Sequence, residues 1–195
     1  MPPSQPAKRS IGQASLDQAA SVYRQRLDCS AAFVDALPHG TYVPAAPWAF
    51  AAQPDGRRAW ERAYQRVQSG ETLKQIEVSG KASVSTILGY VLTALEHGFA
   101  VDLQDLARQG AEEGCSGPTR AEWELLARAD AASAVDVTQN VRVVYAELLK
   151  SFVPAARRRL AKGESAQDTI TLRAWYVKLM WYMALRRVGL QPTWR

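Results

Sequence analysis

Four residues, Gly80-Lys81-Ala82-Ser83, separate two apolar-periodic stretches within Ser69 to Leu106, and they constrain this chain more than any other feature. The spacing predicts a short helix over Leu73 to Val78, a turn, and a longer helix that stops at Gly98. In the longer helix Val84, Ile87, Leu88, Val91, Ala94 and Leu95 make one apolar stripe. Ser83, Ser85, Thr86, Gly89, Tyr90 and Thr93 fall largely on the other side. Thr72 reads as the cap of the first helix and Ser83 or Ser85 as the cap of the second. His97 reads as a C-cap residue beside a glycine stop. Two helices across a short turn, the second offering small polar residues at its start, is the arrangement a helix-turn-helix lays against DNA. Gly89 inside a helix costs about 1 kcal/mol relative to Ala. A close approach is therefore expected there, by another helix or by a sugar-phosphate backbone.

The same stretch resembles the helix-turn-helix domain found at the C-terminal end of RecQ-family and related bacterial helicases. The resemblance is carried by Ser69-Gly70, Leu73-Lys74-Gln75-Ile76, Val84-Ser85-Thr86-Ile87, Ala94 to Gly98, and Val101-Asp102-Leu103. A weaker patch, Leu149 to Pro154 followed by Ile170 to Trp175, is similar to that family's closing helices. The resemblance covers roughly Trp60 to Ala184 and is specific mainly in residues 69–106. It implies DNA binding through the turn and the second helix. The chain departs from the family at Glu77, where Ala is usual. The family's domains are also appendages of large enzymes, and nothing in these 195 residues could be the motor.

The net charge of +5 permits an anionic partner without demanding one. The charge is uneven. Residues 136–195 hold 11 Lys/Arg against 4 Asp/Glu, whereas residues 57–118 hold 7 against 8. The helix-turn-helix stretch is thus not itself basic, and phosphate neutralisation supplies most non-specific affinity for DNA. Cys29 and Cys115 are far apart and read as two free thiols of a reducing compartment. With His39 and His97 they have no ligand spacing, so no metal site and no cofactor is expected. The start of the chain has no signal-peptide h-region, and the longest apolar run is too short to span a bilayer. A soluble, cytoplasmic protein is expected, without membrane contact.

Along the chain, Met1 to Gly12 reads as a disordered arm carrying Lys8 and Arg9. Ala14 to Leu37 reads as one or two helices, with Ser30 as the cap of the second. Pro38 to Gly56 holds too many breakers for any regular element. Its Tyr42, Val43, Trp48 and Phe50 suggest a strap laid across an apolar groove. Arg57 to Val67 is predicted as a helix with Trp60, Ala63, Tyr64 and Val67 inward and Arg57, Arg58, Glu61, Arg62 and Arg66 outward. Phe99 to Val101 is long enough for a β-bridge or rudimentary wing. Helices follow from Asp102 to Gln109, from Thr119 (a capping box with Glu122) to Ala129, from Val137 to Leu149, and from Pro154 onward past Arg157, Arg158 and Arg159. Thr171 to Val188 is apolar nearly all round and closes the fold.

These readings give an all-α, compact helical domain over residues 57–195, preceded by a helical segment and Pro-rich strap over 13–56 and the arm over 1–12. The expected function is that of a DNA-binding accessory or regulatory protein. Lys81, Ser83, Ser85, Thr86 and Tyr90 would approach the groove, while Arg57, Arg58, Arg62 and Arg66 on one side and Arg157 and Arg158 on the other would hold phosphates. The alternative is a protein-interaction module or inhibitor on the same fold. It would use the strap, or form a homodimer through Trp175, Tyr176 and Trp181. No nucleophile–base pair, Walker motif or Gly-rich phosphate loop is present, so catalysis is not expected.

Overall fold

The structure, a computed structural model, describes residues 30–51, 55–134, 136–139 and 143–194. The expectations for the arm with Lys8 and Arg9, for the helix before Ser30 and for Cys29 lie outside these residues.

The protein is mostly helical, with a single two-stranded ribbon among the described residues. Residues 30–35 are helical, and Ser30 lies within that helix rather than ahead of it. Strand β1 is Thr41–Tyr42. Helices α1 (Ala59–Gln68), α2 (Leu73–Ser79) and α3 (Val84–Glu96) follow, then β2 (Val101–Asp102) and α4 (Leu103–Glu112). The chain closes with α5 (Arg120–Ala132), α6 (Tyr145–Leu149), α7 (Pro154–Leu160) and α8 (Ala166–Arg187).

Local chemistry sets these boundaries. Thr72 and Gln75, Thr119 and Glu122, and Ser165 and Asp168 each form a reciprocal capping box at the starts of α2, α5 and α8. The Ser165–Asp168 pair starts α8 five residues before the position that apolar periodicity alone predicts. Asp102 caps α4 and Pro154 opens α7. Gly98 ends the α3 segment at φ +86, and Pro47 lies 3.1 Å from where a Cβ would stand.

Helix α3 is central. Val84, Ile87, Leu88, Val91, Leu92, Ala94 and Leu95 are buried, and α3 touches α1, α2, α4 and α8. The second pillar is α8, whose Leu179, Trp181, Tyr182 and Leu185 lie in the core. Trp181 meets Phe33 edge-on at 5.2 Å, and Tyr182 meets Trp123 at 4.8 Å. Each such large side chain contributes about 1.5–3 kcal/mol by leaving water.

Three expectations need correction. The breaker-rich strap does hold a regular element: β1 pairs antiparallel with β2, Thr41 opposite Asp102 and Tyr42 opposite Val101. This places the β-bridge near Val101 as foreseen, but its partner is the strap, not a following wing strand. Second, residues 137–139 form a turn rather than the start of a helix, and α6 begins only at Tyr145. The Asp136 carboxylate accepts from both the amide and hydroxyl of Thr138, at 2.8 and 2.7 Å, which favours a turn over a helix. Third, Glu61 is buried instead of facing out, and it accepts from the Asp55 amide at 3.0 Å.

Within the strap, Trp48 is buried. Its amide donates to Glu96 O at 2.7 Å and its indole Nε1 to Thr138 O at 2.5 Å. The Arg187 guanidinium lies 4.0 Å over its ring. Val43 and Phe50 remain exposed.

Candidate nucleic-acid interface

Across Gly80 to Ser83 the chain direction turns by 120° between α2 and α3. Gly80 is required sterically, since a Cβ there would stand 2.9 Å from Ile76 O. The corner is pinned at the first turn of α3, where free backbone amides would otherwise face solvent. Ser83 Oγ accepts from the Thr86 amide at 3.4 Å. Glu77 Oε1 accepts from the Val84 amide at 3.1 Å, and Glu77 Oε2 meets Lys74 Nζ at 2.8 Å. Lys74, and then the Val84 amide, hold the Glu77 carboxyl below its ordinary value. Glu77 thus fastens the turn from the end of α2, a role Ala could not fill.

Two clefts flank the outward edge of α3. The first, about 700 Å³, lies between α1 and the turn. It gathers six of the eleven residues expected to face DNA: Arg62, Arg66, Lys81, Ser83, Thr86 and Tyr90. Lys81 and Thr86 are exposed. The Arg62 head donates to Arg57 O, and among the described residues no carboxylate pairs with Arg62 or Lys81. Arg66 is different. Its guanidinium grips Glu71 through Nε at 2.8 Å and through Nη2, which also reaches Ser79 Oγ at 2.6 Å. Glu71 raises the Arg66 value, and Arg66 lowers that of Glu71. Arg66 therefore braces α1 against α2, and its charge is already matched.

The second cleft, about 460 Å³, lies between α3 and α8. Ser85, Gly89 and Thr93 form one wall, and Arg173, Tyr176 and Met180 the other. Tyr145 of α6 closes it and stands 5.3 Å from Tyr176, edge to face. Burial pushes the Tyr145 hydroxyl up from its ordinary value. The close approach expected at Gly89 is made by a helix: a Cβ there would lie 3.1 Å from Met180 Sδ. Thr86 and Tyr90 line both clefts and form the ridge between them. At the inner end Arg187 Nη1 meets Glu96 Oε1 at 2.9 Å, with only 7% and 12% of those side chains exposed. Burial raises the Glu96 carboxyl above its ordinary value, and Arg187 opposes that shift.

The remaining expected residues lie apart from both clefts. Arg58 pairs loosely with Asp55 at 3.8 Å, and exposed Arg57 sits at the same end of α1. Arg158 holds Asp168 through Nε at 2.8 Å and Nη2 at 2.5 Å, and Arg157 donates to Lys150 O and Ser151 O. Both join α7 to its neighbours, so neither is a spare cation. Trp181 is 0% exposed and offers nothing to a second copy of the chain. Trp175 and Tyr176 are partly buried, against Phe152 at 5.1 Å and Tyr145. The sequence reading missed Arg173, because an isolated arginine on a helix carries no pattern.

Among the described residues no cluster of His, Cys, Asp and Glu could hold a metal, and no single helix is long and apolar enough to cross a membrane. No family model matches the chain, and no curated protein or solved structure matches it.

Proposed function

We propose that this protein binds nucleic acid as an accessory or regulatory factor through the α2–α3 corner, the stretch whose sequence resembles the helicase-associated helix-turn-helix. The observation that carries the reading is the convergence of Arg62, Lys81, Ser83, Thr86 and Tyr90 on one open cleft beside a short polar turn. Arg62 and Lys81, which pair with no carboxylate among the described residues, and the hydroxyls of Ser83 and Thr86 in the same cleft suit phosphate oxygens. Arg57 extends the same positive edge at the head of α1.

A second reading, a protein-interaction module, is favoured by a specific observation. Arg58, Arg66 and Arg158 are paired within the chain, to Asp55, Glu71 and Asp168. That leaves less free charge for phosphates than the arginine count suggests.

The deciding measurement is fluorescence anisotropy of labelled oligonucleotides across a salt series, with Ser85→Glu and Thr86→Glu beside the parent. Binding at micromolar concentration or tighter is expected, falling steeply with salt. Each variant should lose it while keeping the parent's circular dichroism and melting temperature. Variants that bind like the parent would refute the site. A parent that binds no oligonucleotide even at low salt would leave the protein-partner reading.

A further inference from the structure

Resting on that reading, we infer that the nucleic acid is single-stranded, with phosphates on Arg62, Lys81 and Arg173 and one base seated in the α3–α8 cleft.

The first argument is one of width. The major groove of a duplex is about 12 Å wide and admits one helix. In helix-turn-helix docking, the second helix lies in that groove. Here α8 runs along one flank of α3, and both helices line the cleft from Ser85 to Glu96 on one side and from Arg173 to Arg187 on the other. At Gly89 the Met180 side chain of α8 packs directly onto α3, its Sδ 3.1 Å from where a Cβ would stand. Two packed helices, each about 10–12 Å across and 8–10 Å between axes, make a body about 20 Å wide. Such a body cannot enter the groove lengthwise. A single strand has no such limit, because it can follow a track narrower than a duplex.

The second argument is the chemistry along that track. Proteins that hold single strands combine free cations for the backbone with aromatic faces on which bases stack. Cations that pair with no carboxylate among the described residues stand on both sides of the Thr86–Tyr90 ridge, and aromatic side chains stand on its α8 side. The α1 cleft supplies Arg62 and Lys81. The α3–α8 cleft supplies Tyr90, Tyr145 and Tyr176, an apolar side at Met180, and exposed Arg173 at its mouth. Among the described residues no carboxylate pairs with Arg173. At about 460 Å³ the space lies in the range of small-ligand sites and is ample for one base with its sugar. The hydroxyls of Ser85 and Thr86 stand along one wall for a base edge or a phosphate.

The test uses the full chain and fluorescence anisotropy with four labelled probes: dT12, rU12, a 12-base-pair duplex, and a strand of matched length whose central residues are abasic. The parent should bind dT12, and rU12 likewise, at least tenfold more tightly than the duplex or the abasic strand. Tyr176→Ala should weaken dT12 tenfold or more, and Tyr176→Phe should restore it. Arg173→Glu, on an exposed side chain, should also cost tenfold or more without altering the fold, which covers the case in which Tyr176→Ala misfolds. A duplex bound as tightly as dT12, an abasic strand bound as tightly as dT12, or an Arg173→Glu variant that binds dT12 like the parent would each overturn the inference while leaving nucleic-acid binding intact. If no probe binds at low salt, the parent reading falls with it.

Discussion

Replacing Arg187 by Met tests how the far ends of α3 and α8 are held. The guanidinium makes the Glu96 pair at 2.9 Å, donates to Val137 O at 3.0 Å and covers the Trp48 ring at 4.0 Å. Methionine keeps the apolar stem and removes all three contacts. What remains is a glutamate with 12% of its side chain exposed and its main counter-charge gone. Removing one member of a buried pair costs about 3–5 kcal/mol, chiefly through the stranded charge. That is a large share of a typical stability of about 5–15 kcal/mol. The sign of the pH dependence follows from Glu96. Its folded value already lies above the ordinary one because burial outweighs Arg187. Loss of Arg187 moves it further up. A carboxyl raised in the folded state carries no penalty below its unfolded value, and the penalty grows as pH rises through that value to the folded one. The variant should therefore lose about 3–5 kcal/mol by urea unfolding at pH 7 and clearly less at pH 5. The Glu96→Gln, Arg187→Met double variant should recover part of the loss at pH 7. A single variant within 1 kcal/mol of the parent, or a deficit that does not shrink on acidification, would refute the assignment of this pair as a buried, desolvated clasp.

Two further outcomes concern helix ends and contacts. Gly89→Ala gains about 1 kcal/mol of helix propensity, and the contact it creates is with the flexible tip of Met180. The net should be about 0.5 kcal/mol of stabilisation, or about 1–2 °C in Tm for a chain of this size. A loss of more than about 1 kcal/mol would show that Met180 does not yield. Asp168 is held well below the usual carboxylate range, first by Arg158 and then by the Ser165 amide. A carboxyl lowered in the folded state contributes stability above its unfolded value and loses it as pH falls toward the folded one. The parent's stability should drop between about pH 4 and pH 2, and Asp168→Asn should start lower at pH 7 and fall less over that interval. Acid limbs that superimpose would rule Asp168 out as their source.

What the sequence made legible was local. The α3 stripe, the caps at Thr72, Ser83 and Thr119, the Gly98 stop and the first-turn Pro154 are all encoded within a few residues of where they act. Glu61 was misread because helical spacing assigns a face but does not register a strap folding back over that face. Arg66, Arg157 and Arg158 were offered as phosphate grips, yet each is engaged by a partner outside its own helical turn: Glu71 and Ser79, the carbonyls of Lys150 and Ser151, and Asp168. The six residues that share the α1 cleft lie on consecutive elements of one corner, so their proximity follows from the chain order. The α3–α8 cleft was invisible for the opposite reason: its walls are far apart in the chain, and only Gly89 hinted that something approaches.

The strap has a consequence for how this corner can be moved or inherited. β1 reaches across to β2, Trp48 is tied to Glu96, and the Thr193 amide donates to Ala36 O at 2.8 Å, so segments from both sides of the helical core meet beyond it. Such closures forfeit chain entropy before they return any contact energy, and they slow the search for the native arrangement. They also bind the fate of α1–α3 to residues on both sides. A piece cut at Arg57 and at Glu112 would lose Pro47 from beside Gly98, the Trp48 clasp and the α8 wall of the second cleft. Copying α1–α3 alone would therefore copy the turn without the strap and chain-end contacts that close over the far end of α3.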